Sequence, residues 1–415
     1  MKRLIPIILA LLMLAPLLPF AEISPDLKDD LTPNWSSAAP SVTLTEESFP
    51  QISLAGLNTC AILGDGTLKC WGNGASGRLG IGSSVSHNTP QIVNFGSGLT
   101  AVSVSVNQEH TCAILDGGSL NCWGTGSGGK LGHGTGDYMV SPATVNLGSG
   151  RTAVSVSPGQ DHTCAILDNG AVSCWGIGSS GQLGNGATSS TAIPMLTSSL
   201  GVNRTAVAIS SGYTHTCAIL DNGLVSCWGN GNYGQIGNGA ISGKTTPTLT
   251  SSLGANRTAV AISSGQDHTC AILDNGSVSC WGSNSYGSLG NGGNSNQNTP
   301  QTVNLGLGRT AVIVSAGFSS TCAVLDDASL TCWGYNGVGQ LGIGTTTHHN
   351  TPQTVDFGLG RTVVSVNVGG AHSCAVLNDG SLTCWGSNSN GQFGDGTFQN
   401  RLEPTTNFTD VTPVW

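Results

Sequence analysis

The residues with the clearest chemical spacing are the fourteen cysteines, which form seven Cys-x9-Cys pairs. Zinc-binding cysteines are usually separated by two to four residues, so this spacing disfavours a metal site. In one pair, Cys164 and Cys174 flank Asp168-Asn169-Gly170, and a three-residue hairpin loop there places them opposite each other as a non-hydrogen-bonded pair. The Cα atoms of such a pair lie about 4.5 Å apart, which suits a disulfide. We therefore predict seven bridges, with seven pairs of free thiols as the alternative: Cys60–Cys70, Cys112–Cys122, Cys164–Cys174, Cys217–Cys227, Cys270–Cys280, Cys322–Cys332 and Cys374–Cys384.

Histidine recurs two residues before the first cysteine of five pairs, at His110, His162, His215, His268 and His372, with Asn58 and Ser320 in the other two repeats. A ring of imidazoles is a candidate metal site, since neutral imidazole is a common metal ligand. A residue that recurs with a structural unit is better explained by a role inside that unit. We expect each histidine to make a hydrogen bond at a strand end, and no bound metal. Arginine also recurs, and we expect it to form salt bridges or to bind carbonyl groups; its positions are Arg151, Arg204, Arg257, Arg309 and Arg361.

Sequence motifs of catalysis are not found. Gly72-x-Gly74-x-x-Gly77 fits the dinucleotide-binding pattern, but that mechanism requires the glycines to open a helix after a strand. Here the same pattern recurs in other repeats, beginning at Gly124, Gly176 and Gly229, and its glycines are interpreted as turn residues. Acidic residues concentrate in Asp-x-Gly turns, and no pair of carboxylates is singled out for glycoside hydrolysis. We therefore predict no catalytic residues and no cofactor, with a hydrolase kept as an alternative.

The tripeptide Cys-Trp-Gly marks the repeat that positions these residues. It recurs seven times, beginning at Cys70 and ending at Cys384, at intervals of 52 or 53 residues. The units contain period-two alternation, a turn such as Asp168-Asn169-Gly170 and no helical periodicity, which indicates four short strands. One four-stranded sheet cannot bury both of its faces, whereas seven packed around an axis can. We predict an all-β fold, a seven-bladed β-propeller with one four-stranded antiparallel blade per repeat; a linear β-solenoid is the alternative.

These residues carry a family resemblance. A strand like His162-Thr163-Cys164-Ala165-Ile166, an Asp-x-Gly turn, Trp-Gly, Gly-Gln-Leu-Gly-x-Gly and a downstream Pro together resemble the regulator of chromosome condensation repeat family, over roughly residues 48–404. The resemblance implies the seven-bladed propeller, with the Trp of each Cys-Trp-Gly packing between blades. It also implies nucleotide exchange on a small GTPase as an alternative function. The chromophore motif Gly-Trp-Arg-His-Thr of the family's plant UV-B photoreceptor is replaced here, for example by Gly159-Gln160-Asp161-His162-Thr163.

The chain begins with a predicted export signal. Lys2 and Arg3 precede an apolar stretch that ends at Ala21, and Pro16 and Pro19 make it too short for a membrane-spanning helix. We predict a signal peptide at 1–21, a flexible linker at 22–47 and the propeller at 48–415. The mature chain is expected to be secreted or at the cell surface, without a membrane span, in an oxidising compartment that suits disulfides. Only 8% of residues are charged, the formal net charge is −9 and no basic run occurs, which excludes nucleic acid as a partner.

The expected binding surface consists of the segments in which the repeat pattern is lost, between Leu-Gly-x-Gly and the downstream Pro. Loops on a rigid scaffold commonly carry binding groups. We predict an exported, non-catalytic monomer that binds an unknown extracellular protein or glycan at these segments. Neutral drift of surface residues is an alternative explanation of the same variation. The Gln160-Asp161 and Gln266-Asp267 loops are an alternative binding site. The candidate residues are His87, Asp137, Tyr138, Lys244, His348, His349 and Arg401, together with Tyr233, Tyr286 and Tyr335 of the Trp-Gly loops.

Two further expectations concern the ring itself. The turn Asp326-Asp327-Ala328 lacks the glycine of the other repeats, so we expect it to be the most strained turn. We also expect the first and last repeats to meet, with residues 407–415 pairing within or beside the blade that contains Cys60.

Overall fold

The computed structural model describes residues 51–404, which form seven antiparallel sheets packed side by side around a central channel. Six blades have four consecutive strands, and the seventh has three strands plus an isolated bridge between Gly386 and Arg401. The first strand of every blade faces the channel and the fourth lies outermost. The all-β, seven-bladed prediction is therefore confirmed. The predicted signal peptide, the linker and the strand at 407–415 lie outside the described residues.

The strands follow the repeats in order. Blades 1 to 4 contain β1 (Gln51–Leu54), β2 (Asn58–Ile62), β3 (Leu68–Gly72), β4 (His87–Ile92); β5 (Ala101–Val106), β6 (His110–Leu115), β7 (Leu120–Gly124), β8 (Met139–Thr144); β9 (Ala153–Pro158), β10 (His162–Leu167), β11 (Val172–Gly176), β12 (Thr191–Leu196); β13 (Ala206–Ser211), β14 (His215–Leu220), β15 (Val225–Gly229), β16 (Lys244–Leu249). Blades 5 to 7 contain β17 (Ala259–Ser264), β18 (His268–Leu273), β19 (Val278–Gly282), β20 (Gln297–Thr302); β21 (Ala311–Ala316), β22 (Ser320–Leu325), β23 (Leu330–Gly334), β24 (His349–Val355); β25 (Val363–Val368), β26 (His372–Leu377), β27 (Leu382–Gly386). Short 3-10 turns occur at Ala75–Gly77 and Ser127–Gly129.

The hairpin between the second and third strands places the cysteines in register. Cys164 lies directly opposite Cys174, and the equivalent pair is opposed in every blade. All seven pairs are disulfide-bonded with Cα–Cα distances of 4.1 Å, slightly closer than expected. No free cysteine remains in the described residues, which include all fourteen. The structure therefore has the predicted bridges, each within a single hairpin.

The hydrophobic core is divided into seven clusters, one at each junction between neighbouring blades. Because adjacent residues of a strand point to opposite faces, Cys174 faces blade 4 while Trp175 faces blade 2. Each cluster thus combines the cystine of one blade with the buried Trp of the next, as Cys164 and Cys174 do with Trp228. The indole Nε1 of that Trp donates to a backbone carbonyl of the preceding blade, here Gln182, at 2.9 Å. Trp is the blade-packing residue, as the resemblance implied.

The ring closes between the first and last repeats. Ile52, Leu54 and Trp71 of blade 1 share one buried cluster with Cys374, Val376, Cys384 and Phe393 of blade 7. Trp71 donates to the Gln392 carbonyl at 2.9 Å, as at the other junctions. This closure excludes the open ring and the linear solenoid. These contacts lie within residues 51–404, and the predicted pairing of residues 407–415 lies outside the described residues.

The sixth Asp-x-Gly turn has the conformation that its sequence disfavours. Ala328 has φ +63°, whereas the corresponding turns have glycine with φ from +75° to +80°. A Cβ atom in this left-handed region approaches the following carbonyl oxygen, which costs roughly 1–2 kcal/mol. The backbone geometry of the other turns is therefore kept here at an energetic cost.

Candidate functional site

The recurring histidines link neighbouring blades. The Nε2 atom of each lies 2.8–3.0 Å from the hydroxyl of a Thr in the next blade; the pairs are His110–Thr163, His162–Thr216, His215–Thr269, His268–Thr321 and His372–Thr59. In four pairs the same Thr donates its own proton to a backbone carbonyl of the histidine's blade. That Thr must then accept from the histidine, so the Nε2–H tautomer is present. The expected structural role is confirmed, although the partner lies in the next blade.

Burial makes these histidines poor bases. Loss of solvation lowers the pKa of His162 and His268 to about 4, and that of His215 and His372 to about 3. The pKa of His110 also falls well below its usual value, through burial and then the Lys130 charge. All five are therefore neutral at pH 7 and inaccessible to a ligand.

The recurring arginines lie on the opposite side of the ring. Each pairs with an Asp of its own repeat's turn, with N–O distances of 3.0 Å for Arg151–Asp168 and 3.2 Å for Arg204–Asp221. The other pairs are Arg257–Asp274, Arg309–Asp326 and Arg361–Asp379. The salt-bridge prediction is confirmed. Within residues 51–404, His, Cys, Asp and Glu do not cluster in groups of three or more suited to a metal ion.

The side of the ring with the variable segments is called here the loop face. It carries the connections between first and second strands, such as 159–161, and between third and fourth strands, such as 177–190, because antiparallel strands return to the same edge. The channel mouth opens on this face with a volume of about 680 Å³, lined by the ends of all seven first strands. The Asp-x-Gly turns and their arginines lie on the other face.

A depression made of three adjacent hollows lies on the loop face over blades 4 to 6. At the channel mouth, the rings of Tyr213 and Phe318 meet edge to face at 6.2 Å. Phe318 also lines a second hollow of about 620 Å³, together with Asp267, Tyr233 and Tyr286. Tyr286 in turn lines a third hollow with His348 and His349, so neighbouring hollows share aromatic lining residues.

The outer end of this depression is an aromatic cluster. Tyr286 lies 4.9 Å from Tyr335 and 5.2 Å from His348 between ring centroids, and Tyr335 lies 4.7 Å from His348. Nδ1 of His348 accepts a hydrogen bond from the Asn336 amide at 3.0 Å, which fixes the ring orientation. We call the whole depression the aromatic groove, with rings from Tyr213, Phe318, Tyr233, Tyr286, Tyr335 and His348. Edge-to-face aromatic packing of this kind preorganises a contact surface.

Asp267 is the carboxylate of the aromatic groove. Burial raises its pKa, since a partly buried carboxylate loses hydration. Its hydrogen bond from Gln235 Nε2 is long, 3.3 Å. Among the residues that line the three hollows it is the single acid, so the groove has neither the paired carboxylates of a glycosidase nor a nucleophile–base pair built on it.

The structure brings together five of the ten candidate residues chosen from sequence: Tyr233, Tyr286, Tyr335, His348 and His349. The other five lie elsewhere around the ring. His87 and Lys244 begin the outer strands of blades 1 and 4, as His349 does in blade 6, and Asp137 and the exposed Tyr138 precede the outer strand of blade 2. Arg401 is held by its own blade, bonded to Asp395 at 2.6 Å and lying over the Phe393 ring.

Tyr213 and Phe318 were missed as candidates. The Gln266-Asp267 loop was named only as an alternative site, and it lies inside the groove. The sequence feature that distinguishes them lies in the connections between first and second strands, where Tyr213 and Phe318 replace the small or polar residues of other repeats.

Comparison with known proteins fixes the family. The family model of the RCC1-like domain matches residues 142–413, and the model of the regulator of chromosome condensation (RCC1) repeat matches residues 65–114 and 117–166. The chain belongs to the RCC1 family. This RCC1-like propeller is 29% identical over 368 residues to the ultraviolet-B receptor UVR8 of Arabidopsis thaliana, covering 88% of this chain and 83% of that one. It is 31% identical over 318 residues to the human E3 ubiquitin-protein ligase HERC2, covering 76% of this chain but only 7% of HERC2.

Solved structures support the RCC1-like fold. Human WBSCR16 superimposes with a TM-score of 0.74 at 22% identity, over 82% of this chain and 94% of the other. The CRINKLY WD40 ectodomain of the Arabidopsis thaliana receptor kinase ACR4 gives 0.51 at 19% identity, over 82% and 95%. At these identities the RCC1-like architecture is shared and the ligand is not implied. No helix in residues 51–404 of the RCC1-like chain is long and apolar enough to cross a bilayer.

Proposed function

We propose that this RCC1-like propeller is an exported, non-catalytic binding module that holds a protein or glycan ligand in the aromatic groove. The observation that carries the proposal is that three adjacent hollows, which share aromatic lining residues, extend from the channel mouth to the rim of blade 6. Tyr233 and Tyr286 are 46% and 45% exposed along the groove, and the Tyr286 ring packs against the rings of Tyr335 and His348. Rigid tyrosines beside small polar residues are typical of binding surfaces, because little conformational entropy is lost on contact.

Export is supported by the cystines and by the predicted leader. Seven buried disulfides form and persist in an oxidising environment, and such bridges are rare in cytosolic proteins. The predicted signal peptide at 1–21 is consistent with that environment. The ACR4 ectodomain is similar to this chain, and that similarity concerns the fold alone.

A non-catalytic role is supported by how the titratable groups are used. The five recurring histidines are buried and neutral, and the recurring arginines pair with turn aspartates on the face away from the groove. Asp267 has no second carboxylate beside it in the lining of the groove. The groups that face a ligand are therefore suited to contact rather than to proton transfer.

The proposal is tested by affinity capture from the native extracellular medium with the oxidised protein as bait. The double variant Tyr286→Ala/His348→Ala removes the outer end of the groove, and Tyr138→Ala removes a more exposed tyrosine on blade 2 as a control. We expect the double variant to lose the ligand captured by the wild type, and the control to keep it, at unchanged melting temperatures. Loss of capture in Tyr138→Ala with retention in the double variant would contradict the proposal.

A further inference from the structure

Two junctions between blades place a carboxylate at the same position but balance its charge differently. At the junction of blades 2 and 3, the fully buried Lys130 Nζ lies 2.7 Å from Asp161 and 2.8 Å from Glu109. The Gln160 carbonyl adds a third contact at 3.2 Å. An ammonium group of the chain itself thus neutralises the acids here.

The junction of blades 4 and 5 repeats this arrangement without the cation. Its residues Gln235, Thr214 and Asp267 correspond in the repeat to Lys130, Glu109 and Asp161. Gln235 is also fully buried, and it offers Asp267 only a neutral hydrogen bond of 3.3 Å. Among residues 51–404, Asp267 takes part in none of the ion pairs, so its charge is partly buried without an opposite charge.

The space beside Asp267 is lined by aromatic rings. Tyr233, Tyr286 and Phe318 line the same hollow of about 620 Å³ as the Asp267 carboxylate, together with several serines. Aromatic faces attract cations through the ring quadrupole when a cation lies within about 6 Å of the ring centroid, and the gain increases when water is excluded. A carboxylate that shares a hollow with such rings suits an organic cation in charge. It fits an anion or a purely apolar group poorly.

We propose that this hollow binds an alkylammonium group, presented as a lysine side chain by a protein ligand. The inference deepens the function proposed above by naming the ligand chemistry, and it commits that function to a protein partner. The hollow lies towards blade 6, where Ser288 and Asp267 correspond in the repeat to Lys130 and Glu109, so the bound ammonium takes the place beside Asp267 that Lys130 takes beside Glu109. Burial, which raises the pKa of Asp267 in the free protein, then increases the advantage of a cation over a neutral group of the same shape.

The test uses n-butylammonium chloride as the cationic probe and n-butanol as its neutral counterpart. Binding of each to the full oxidised protein is measured at pH 7 by ligand-observed NMR titration. We expect the wild type to bind butylammonium at least tenfold more tightly than butanol, and Asp267→Asn to reduce that preference to less than twofold. Asp137→Asn, which removes an exposed acid from the same loop face, should leave the preference unchanged.

A second variant keeps the test independent of any effect of Asp267→Asn on folding. Gln235→Lys recreates the arrangement of the Lys130 junction, so its own ammonium should neutralise Asp267 and abolish butylammonium binding while the carboxylate stays in place. Equal binding of both probes by the wild type, or undiminished butylammonium binding by Gln235→Lys, would overturn the inference.

The two proposals fail separately. If the wild type does not prefer butylammonium but Tyr286→Ala/His348→Ala still loses its captured ligand, the cation pocket is wrong and the binding groove stands. If the cation binds but capture survives in that double variant, the groove function is wrong and the pocket stands.

Discussion

Lowering the pH from 7 to 5 should destabilise the oxidised propeller through its buried histidines. Each of the five is neutral in the folded ring, and four have folded pKa values of about 3 or 4, against about 6.5 in an unfolded chain. The unfolded chain therefore binds protons that the folded ring does not. Stability from this source is complete above pH 6.5 and is lost progressively as the pH falls towards the folded pKa values.

The size of the effect follows from the proton balance. At pH 5 an unfolded histidine with a pKa of 6.5 is roughly 97% protonated, while its folded counterpart remains neutral. Between pH 7 and pH 5 each such histidine removes about 2 kcal/mol from the free energy of unfolding, and five together remove about 10 kcal/mol. That is similar to the whole stability of a typical domain. Carboxylates add little in this interval, because their unfolded pKa values lie near 4.

Urea unfolding followed by tryptophan fluorescence measures this loss, since all seven blade-packing tryptophans are buried. His162→Asn is the matched variant, because Asn58 occupies the equivalent position in blade 1. The variant should be less stable at pH 7, yet its loss between pH 7 and pH 5 should be about 2 kcal/mol smaller than that of the wild type. Equal unfolding free energies at pH 7 and pH 5, or an unchanged pH dependence in His162→Asn, would refute the assignment of buried neutral histidines.

Three other predictions concern single sites, each measured by chemical unfolding of the oxidised protein. Ala328→Gly should raise the free energy of unfolding by about 1 kcal/mol by removing the left-handed strain, whereas Gly276→Ala at the equivalent turn should lower it, because the new Cβ would lie 2.6 Å from a threonine of the next blade. Equal stability of the wild type and both variants would show the turn to be unstrained. Lys130→Met should cost about 1–2 kcal/mol, since its two carboxylate partners lose their cation but are about one-third exposed to screening water; a variant as stable as the wild type at low salt would contradict this. Removing one bridge with Cys164→Ser/Cys174→Ser should cost about 2–3 kcal/mol, and peptide mapping without reduction should recover the other six bridges intact; bridges between blades would count against the hairpin register.

The parts of the structure that sequence predicted are those fixed within one repeat. The cystines follow from hairpin register, because Cys164 and Cys174 are ten residues apart and the turn between them determines which residues face each other. The histidine partner was not predicted, because Thr216 lies 54 residues from His162 and the two meet only through the packing angle between blades.

The candidate site shows the same division. Tyr233, Tyr286 and Tyr335 were selected individually as loop aromatics, but their alignment with Phe318 and Asp267 depends on three blades lying side by side. A set of residues drawn from several blades cannot be recognised from the sequence of a single repeat. Conversely, Arg401 was selected as an unpatterned charge, and its own blade binds it through Asp395.

The confinement of every cystine to one hairpin bears on how such a chain can change its number of blades. Each repeat carries both members of its bridge, and no described bridge joins two repeats. Duplication or deletion of one repeat therefore adds or removes a complete pair and leaves no unmatched thiol to form wrong bridges during oxidative folding. The seam between Trp71 and Gln392 uses the same donor and acceptor as every other junction, so a newly inserted repeat would present matching contacts to both of its neighbours. The number of blades is then limited by the angle between them rather than by the chemistry of their cysteines.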